Sequence, residues 1–308
     1  MLFYRLLPLL ASTVAVLAAR YPSFGTLQTQ TSNGVMHVVI NNTFSEINVL
    51  DYHLAFDLAN LLERLQGNGT DSDVHAVVFS SANPKFFIAH VDINLFVTGF
   101  ESPLPKFDPF NPDILFFDAL MWNITTLPQA TIAVIEGRAR GIGNEFLMAC
   151  DMRFALSSPN VLLSQTENSV GANPGAGGAM YLSNLIGHGR TFEYVLSATD
   201  VNADTAAQIG WVNRVFDTPH ELHDYVDNLA ARIALFPLPG IAGTKQGVNA
   251  ISRPPRDVFV RDSQDVIISV TSTAEGQELL DAVLKATNNQ SLGAFELDWP
   301  TEVVKLYQ

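Results

Sequence analysis

Cysteine is all but missing from this chain: Cys150 stands alone among 308 residues. A disulfide within the chain is therefore impossible, and so is a zinc site built on thiolates. Cys150 reads as a buried core thiol. Charge is scarce as well. Only 16% of residues are charged, and the shortage is on the basic side, with 17 Lys and Arg against 31 Asp and Glu. A net charge of −14 makes a poor binder of nucleic acid or of an anionic membrane. Neither is expected as a partner. No HxH, HExxH or clustered His/Asp set is present, so no metal is expected. Low-complexity segments are also lacking, and 47% apolar residues exclude a disordered chain.

One apolar run stands at the N-terminus, from Leu6 to Leu17 behind Arg5. It is short for a membrane span, which needs about 20 residues. With the small residues around Val16, Leu17 and Ala18 it reads as a signal peptide over residues 1–19. A secretory or extracellular location follows, with no membrane attachment once the signal is removed. An uncleaved anchor is the second reading, and a misassigned start, with a mitochondrial or peroxisomal enzyme, the third. N-x-S/T sequons at Asn41, Asn68, Asn123 and Asn289 fit a secreted glycoprotein.

Beyond the N-terminus, strands and helices alternate. "VMHVVINN" from Val35 reads as a buried strand. Leu54, Leu58, Leu61, Leu62 and Leu65 recur at helical spacing on one face. "HAVVFSS" and "ATIAVIEG" are apolar strands, and "MRFALSS" and "VLLSQ" shorter ones. Four prolines between Ser102 and Asp113 exclude helix or inner strand and predict a long loop. A helix is predicted around Ile114 to Ile124, another from Glu221, and a last one over Ala274 to Ala286. The order strand, strand, helix repeats and gives way to a helical tail.

Two turns carry the chemistry. "IAHVDI" (Ile88 to Ile93) ends a strand and turns sharply, and "RGIGNEF" does so ahead of a helix. Backbone N–H groups at such turns are free to bind negative charge, and two turns facing each other make an oxyanion hole. Taken singly, each is equally an ordinary strand-to-helix connection.

Together the segments resemble the crotonase superfamily, the enoyl-CoA hydratase/isomerase family. "AHVDI" resembles its A-G-A-D-I turn, and "IAVIEGRARGIGNEFLMACDMRFA" its second signature. "LLSQTENSVGANPGAGG" resembles its Q-P-E followed by P-G-A-G-G, and "VLSATDVNADTAAQIGWVNRVF" a later segment. The resemblance implies an α/β fold, a spiral of repeated β-β-α units over residues 20–225. A C-terminal helical region over 226–308 would then serve oligomerisation, as a trimer or hexamer, and active-site cover.

It also implies acyl thioester substrates, with CoA as part of the substrate and no separate cofactor. By position, the Val91 and Ile142 N–H groups would hold the thioester oxyanion. Ala89, His90, Asp92, Gly141, Pro174 and Gly175 would lie around the substrate, although His90 taken by itself reads first as a structural histidine. Glu145 and Glu167, 22 residues apart, match the glutamates that hold a water across C2=C3. Family isomerases typically keep only the second, so the pair implies hydration, with Glu145 as base and Glu167 as acid or proton shuttle. Asn94 stands where family members often carry a CoA-binding lysine. Lys285 alone remains of a basic pair in the last helix, and Lys106 lies in the proline-rich loop. A double-bond isomerase, a C–C or thioester hydrolase on a non-CoA carbonyl, and a non-catalytic glycoprotein are the alternatives. Phe96, Phe100, Phe107 and Phe110 are expected to shape the acyl pocket.

Overall fold

The computed structural model describes residues 24–66, 71, 73–98, 115–271 and 273–308. The expected signal peptide, the sequon at Asn68, and Phe100, Phe107, Phe110 and the rest of the proline-rich loop lie outside the described residues. Among the described residues no helix is long and apolar enough to cross a membrane.

The chain opens on a hairpin that the hydrophobic pattern did not reveal. β1 (Leu27–Ser32) pairs antiparallel with β2 (Val35–Ile40) across Asn33-Gly34. Both turn residues have positive φ, the geometry that matches the twist of paired strands. β1 alternates buried and exposed residues too weakly apolar to announce a strand. Helix α1 (Tyr52–Leu65) follows, its first turn capped by Asp51, whose carboxylate accepts from the Leu54 N–H. All five leucines of the predicted face are buried.

Three successive turns of a spiral come next. The first is β3 (Ala76–Ser81), β4 (Phe86–Ile88), α2 (Asn94–Thr98) and α3 (Phe116–Thr126). The second is β5 (Ala130–Ile135), β6 (Arg138–Arg140) and α4 (Ile142–Ala149). The third is β7 (Met152–Leu156), β8 (Leu162–Ser164), a 3₁₀ turn (Glu167–Val170) and α5 (Gly178–Ile186). Each turn gives its first strand to one sheet and its second to another. With two later strands, β9 (Val201–Asn202) and β10 (Arg214–Phe216), the six-stranded sheet runs β1-β2-β3-β5-β7-β10 and the four-stranded sheet β4-β6-β8-β9. Parallel pairing needs both faces covered, which is why β5 reads as an apolar run interrupted only by Thr131, every residue of it buried.

The remaining elements close the sheets and then cover one end. They are α6 (His188–Ser197), β9 (Val201–Asn202), α7 (Ala203–Ile209), β10 (Arg214–Phe216) and α8 (Pro219–Ala234). Leu222, Val226 and Ala230 of α8 bury against Val78, Ile132, Val134 and Phe154 of the larger sheet. Helix α8 thus runs through residue 225 as one element. The tail comprises α9 (Leu238–Ser252), α10 (Arg256–Thr271), α11 (Ala274–Ala286), α12 (Ala294–Leu297) and α13 (Trp299–Val303). Ala274–Ala286 is therefore a helix as expected but not the last one. The short α12 and α13 escape a helical pattern of three turns or more. Asn123 corrects another expectation. It is 1% exposed inside α3, with its Oδ1 accepting from Gln66 Nε2, so the folded chain cannot present that sequon to a glycan.

Arg140, the last residue of β6, ties the tail to the spiral. Its Nε and Nη2 donate to the two carboxylate oxygens of Asp200 at 2.8 and 2.6 Å. Its Nη1 donates to the backbone carbonyl of Glu296 in α12 at 2.6 Å. A planar guanidinium makes this three-way fork and an ammonium cannot. Arg140→Met should destabilise the fold by about 3 kcal/mol, because it leaves the Asp200 charge and the Glu296 carbonyl unpaired in a buried place. Arg140→Lys should recover only part of that. Urea denaturation of the three proteins checks it, and equal midpoints would refute the tie.

Candidate active site

One cavity gathers residues from all three spiral turns and from the tail. His90 and Val91 come from the connection after β4, Gly141, Ile142 and Glu145 from the start of α4, and Thr166 and Glu167 from the turn after β8. Asp118 of α3 and Gly175 complete the core side, while Val266, Leu280 and Trp299 of the tail cover it. Of the residues expected around the substrate, His90, Gly141 and Gly175 line this cavity, as does Phe96. Ala89, Asp92 and Pro174 do not. Ala89 is 1% exposed in an apolar cluster with Ile47, Val49 and Phe86. Asp92 Oδ1 accepts from the Asn94 N–H and from Gln290 Nε2, which fixes the turn rather than facing the cavity.

The start of α4 explains how isoleucine can follow the glycine turn. The unusual conformation falls on Gly141, with φ 52° and ψ −127°. Only glycine adopts this readily. A Cβ at Gly141 would also lie 2.8 Å from Glu167 Oε1. Ile142 is already the first helical residue, an ordinary conformation for a β-branched side chain. Its N–H, in the first turn, has no intrahelical acceptor. Neither the Val91 nor the Ile142 N–H finds an acceptor among the described residues, and both residues line the cavity.

Glu145 is not a solvated helix-end charge. It is 2% exposed, and its Oε1 accepts from the Ala176 and Gly178 N–H groups, each at 2.9 Å. Those donors sit at the start of α5, where the helix leaves N–H groups free and favours negative charge. The glycine-rich stretch makes room: a Cβ at Gly178 would lie 2.8 Å from the same oxygen. Glu167 has no such donors on Oε2, which is sealed from solvent without a hydrogen-bond partner among the described residues.

Burial pushes the Glu145 carboxyl well above its usual range, the nearby Glu167, Asp118 and Asp262 carboxyls push it further, and the Gly178 N–H opposes. Burial likewise raises Glu167; its own backbone N–H and His90 oppose, and Asp262 adds to the rise. Two such groups in one cavity cannot both ionise cheaply, so the pair titrates as a unit and holds a proton above the ordinary carboxylate range. The two carboxyls differ in their donors. Glu145 has two backbone donors, and Glu167 Oε2 none.

His90 contributes a buried positive partner. Its Nδ1 lies 2.8 Å from the Val91 carbonyl, so this nitrogen donates. Nε2 lies 3.2 Å from both carboxylate oxygens of Glu296. Burial pulls the imidazole pKa down, but the Glu296 carboxylate and the Val91 carbonyl together raise it, and the net shift is upward. The histidine both lines the cavity and locks the tail segment onto the β4 turn.

Asp118 is the site residue that sequence reasoning missed. It is 4% exposed, and burial raises it to about 7 against a hydrogen bond from Ser263. The available signal was a single acid inside "FFDALMWNITT", a helix buried along almost its whole length. Trp299, Val266 and Leu280 carried no signal, since nothing in a helical tail marks which apolar residues face a cavity. Among the described residues no three His, Cys, Asp or Glu side chains are grouped to hold a metal ion.

Residues 30–290 match the sequence model of the family described as enoyl-CoA hydratase/isomerase. The chain is similar to a short-chain-enoyl-CoA hydratase of Clostridium acetobutylicum, with 27% identity over 252 residues, 82% of this chain and 92% of that protein. Among solved structures it is similar to a candidate enoyl-CoA hydratase of Streptomyces avermitilis. They share 32% identity at a TM-score of 0.80, over 92% of this chain and 98% of that one. An enoyl-CoA hydratase of Bacillus halodurans, 18% identical, has the same fold at a TM-score of 0.71, over 83% and 99% of the two chains.

Asp118 gives a stability test. In the folded chain it keeps its proton up to about pH 7, whereas an unfolded aspartate loses it near pH 4. The folded state then binds more protons between those values. The stability this contributes is complete below pH 4 and lost as pH rises to 7. Asp118→Asn keeps the acceptor for Ser263 and has nothing to titrate. Its stability relative to the native chain should climb from pH 4 to pH 8 by on the order of 4 kcal/mol. Parallel denaturation profiles across that range would contradict the burial argument.

Proposed function

The chain belongs to the enoyl-CoA hydratase/isomerase family, and from that premise we propose that it adds water across the C2=C3 double bond of an α,β-unsaturated acyl thioester. It has the crotonase fold and is an enzyme of this family's type. One observation carries the choice of hydration. Glu145 and Glu167, from successive spiral turns, line one cavity together with two unpaired backbone N–H groups.

The thioester carbonyl lies with its oxygen toward the Val91 and Ile142 N–H groups. A water held by the two glutamates attacks C3 and gives its proton to Glu145, the carboxylate with backbone donors. The C2=C3 electrons move toward the carbonyl, and the enolate oxygen takes up the charge, where preorganised N–H groups stabilise it without reorganising. Glu167, neutral because Oε2 lacks a donor, delivers its proton to C2. The product is a 3-hydroxyacyl thioester. An incoming water passes the proton from Glu145 back to Glu167. The buried His90 cation, beside Val91, adds a favourable field at the oxyanion.

Asn94, in place of the family lysine, donates through Nδ2 to Asp92 and Asn289. The position is thus used to hold the tail, and the thioester's phosphates must find their cations elsewhere or be absent from the carrier.

Glu145→Gln and Glu167→Gln should each lower kcat for hydration of a trans-2-enoyl-CoA by about 10²–10⁴-fold. The double variant should be little worse than either single one, since the pair acts as a unit. The native pH profile should be bell-shaped, with its acid limb above the ordinary carboxylate range. Unchanged rates in both variants, or a product with a moved double bond and no added water, would overturn hydration.

A further inference from the structure

The hydration reading uses two carboxyl groups, and among the described residues the cavity is lined by three. Asp118 projects from the first turn of α3 onto a wall otherwise formed by Leu115, Phe117 and Val266. Its Oδ2 accepts from Ser263 Oγ at 2.5 Å, and that hydroxyl in turn accepts from the Leu115 N–H at 3.0 Å. The serine proton is thereby committed, and Oδ2 is satisfied. Oδ1 has no hydrogen-bond partner among the described residues, yet it is not among the buried atoms sealed from contact. It therefore faces the cavity. Space is kept for the group: a Cβ at Gly175 would come 3.3 Å from Asp118 Oδ2 and 2.6 Å from Val266 Cγ1.

A hydrocarbon chain laid against this wall would strand a polar oxygen without water or partner, a cost borne with every substrate bound. A chain carrying a hydroxyl would satisfy it. A Cβ at Gly175 would meet Asp118 Oδ2, and the N–H of the next residue, Ala176, donates to Glu145, which sets Asp118 beside the glutamate end of the cavity rather than at a remote end. Resting on the hydration reading, we propose that Asp118 selects acyl thioesters bearing a hydroxyl group close to the double bond, with Oδ1 as its hydrogen-bond partner. Asp118 is then a specificity-determining residue, held in place by Ser263. A site built to bond a hydroxyl rejects the chain lacking it far more strongly than an apolar pocket rejects an added one.

The test separates binding from turnover. S-hexyl-CoA and S-(4-hydroxyhexyl)-CoA are thioethers that can be neither hydrated nor lactonised. Calorimetry on the native protein should find the hydroxylated ligand tighter by about 10- to 100-fold. Asp118→Leu, close in volume, should abolish or reverse that ratio. Asp118→Asn, which keeps the shape and the Ser263 contact, should retain part of it and guards against misfolding of the leucine variant. Equal affinities in the native protein, or the same ratio in the native and leucine proteins, would overturn the proposal. Turnover of trans-2-hexenoyl-CoA and its 4-hydroxy form is measured in parallel. A protein that discriminates the thioethers but hydrates neither enoyl thioester keeps the Asp118 assignment and loses the hydratase reading.

Discussion

The reach of Glu145 across to the start of α5 is the contact on which the site depends. A carboxylate from one spiral turn is received by two backbone N–H groups of the next. That contact joins the second and third turns beside the cavity, orients the carboxylate, and gives a buried charge the partners it needs. It also sets the local sequence. The α5 N-terminus must offer bare N–H groups at close range, so it is built from Pro174 to Gly178 with no side chain at the point of approach. Removing the carboxylate would leave those donors facing an apolar cavity. The helix end and the glutamate are a matched pair.

Around that contact the cavity is arranged for negative charge that moves. Asp118, Glu145 and Glu167 line it and Asp262 lies close behind, all with carboxyls raised by burial. Among the described residues no lysine or arginine is on its wall. In such a place the cheapest state leaves most carboxyls protonated, and each negative charge must be bought with hydrogen bonds. Glu145 has two backbone donors, Asp118 one hydroxyl, and Glu167 Oε2 none. Chemically identical carboxyls thus stand in different surroundings, and the proposed division into base and acid rests on that difference in donors.

Much of this was legible in the residues. The leucine spacing of α1, the apolar run of β5 and the glycine-rich turns all follow from periodicity and steric freedom, and each is found where the pattern set it. So are Glu145, Glu167, Val91 and Ile142 brought together on one cavity, because strand ends and helix starts are local features. What was not legible depends on contact across the chain. Ala89, Asp92 and Pro174 sit within the motifs, but their side chains pack into the core, cap a turn or stay off the wall. Asp118 and Trp299 lie far from any motif and meet the site only through the folding of α3 and the tail. A buried acid in an apolar helix was the only trace, and a sequence alone does not say what it faces. Asn123 shows the same limit from the other side, since a sequon is a surface signal only when the fold leaves it outside.

The tail is what turns a set of strand ends into a closed site. Arg140 binds Asp200 through two nitrogens and the Glu296 carbonyl through the third. The Glu296 carboxylate meets His90, and His90 holds the Val91 carbonyl. This chain of bonds runs from the residue before Gly141 to the residue that offers one of the two free N–H groups, and it passes through α12. The two turns that face the cavity are therefore braced against each other by a segment distant in sequence. In the proposed reaction their N–H groups would need a fixed separation to act on one oxygen, because a donor that must move to meet developing charge loses most of its advantage. Burying Arg140, His90 and Glu296 together is costly unless each is paired, and here each is. The C-terminal segment supplies rigidity as well as cover, and the reactive groups themselves remain on the spiral.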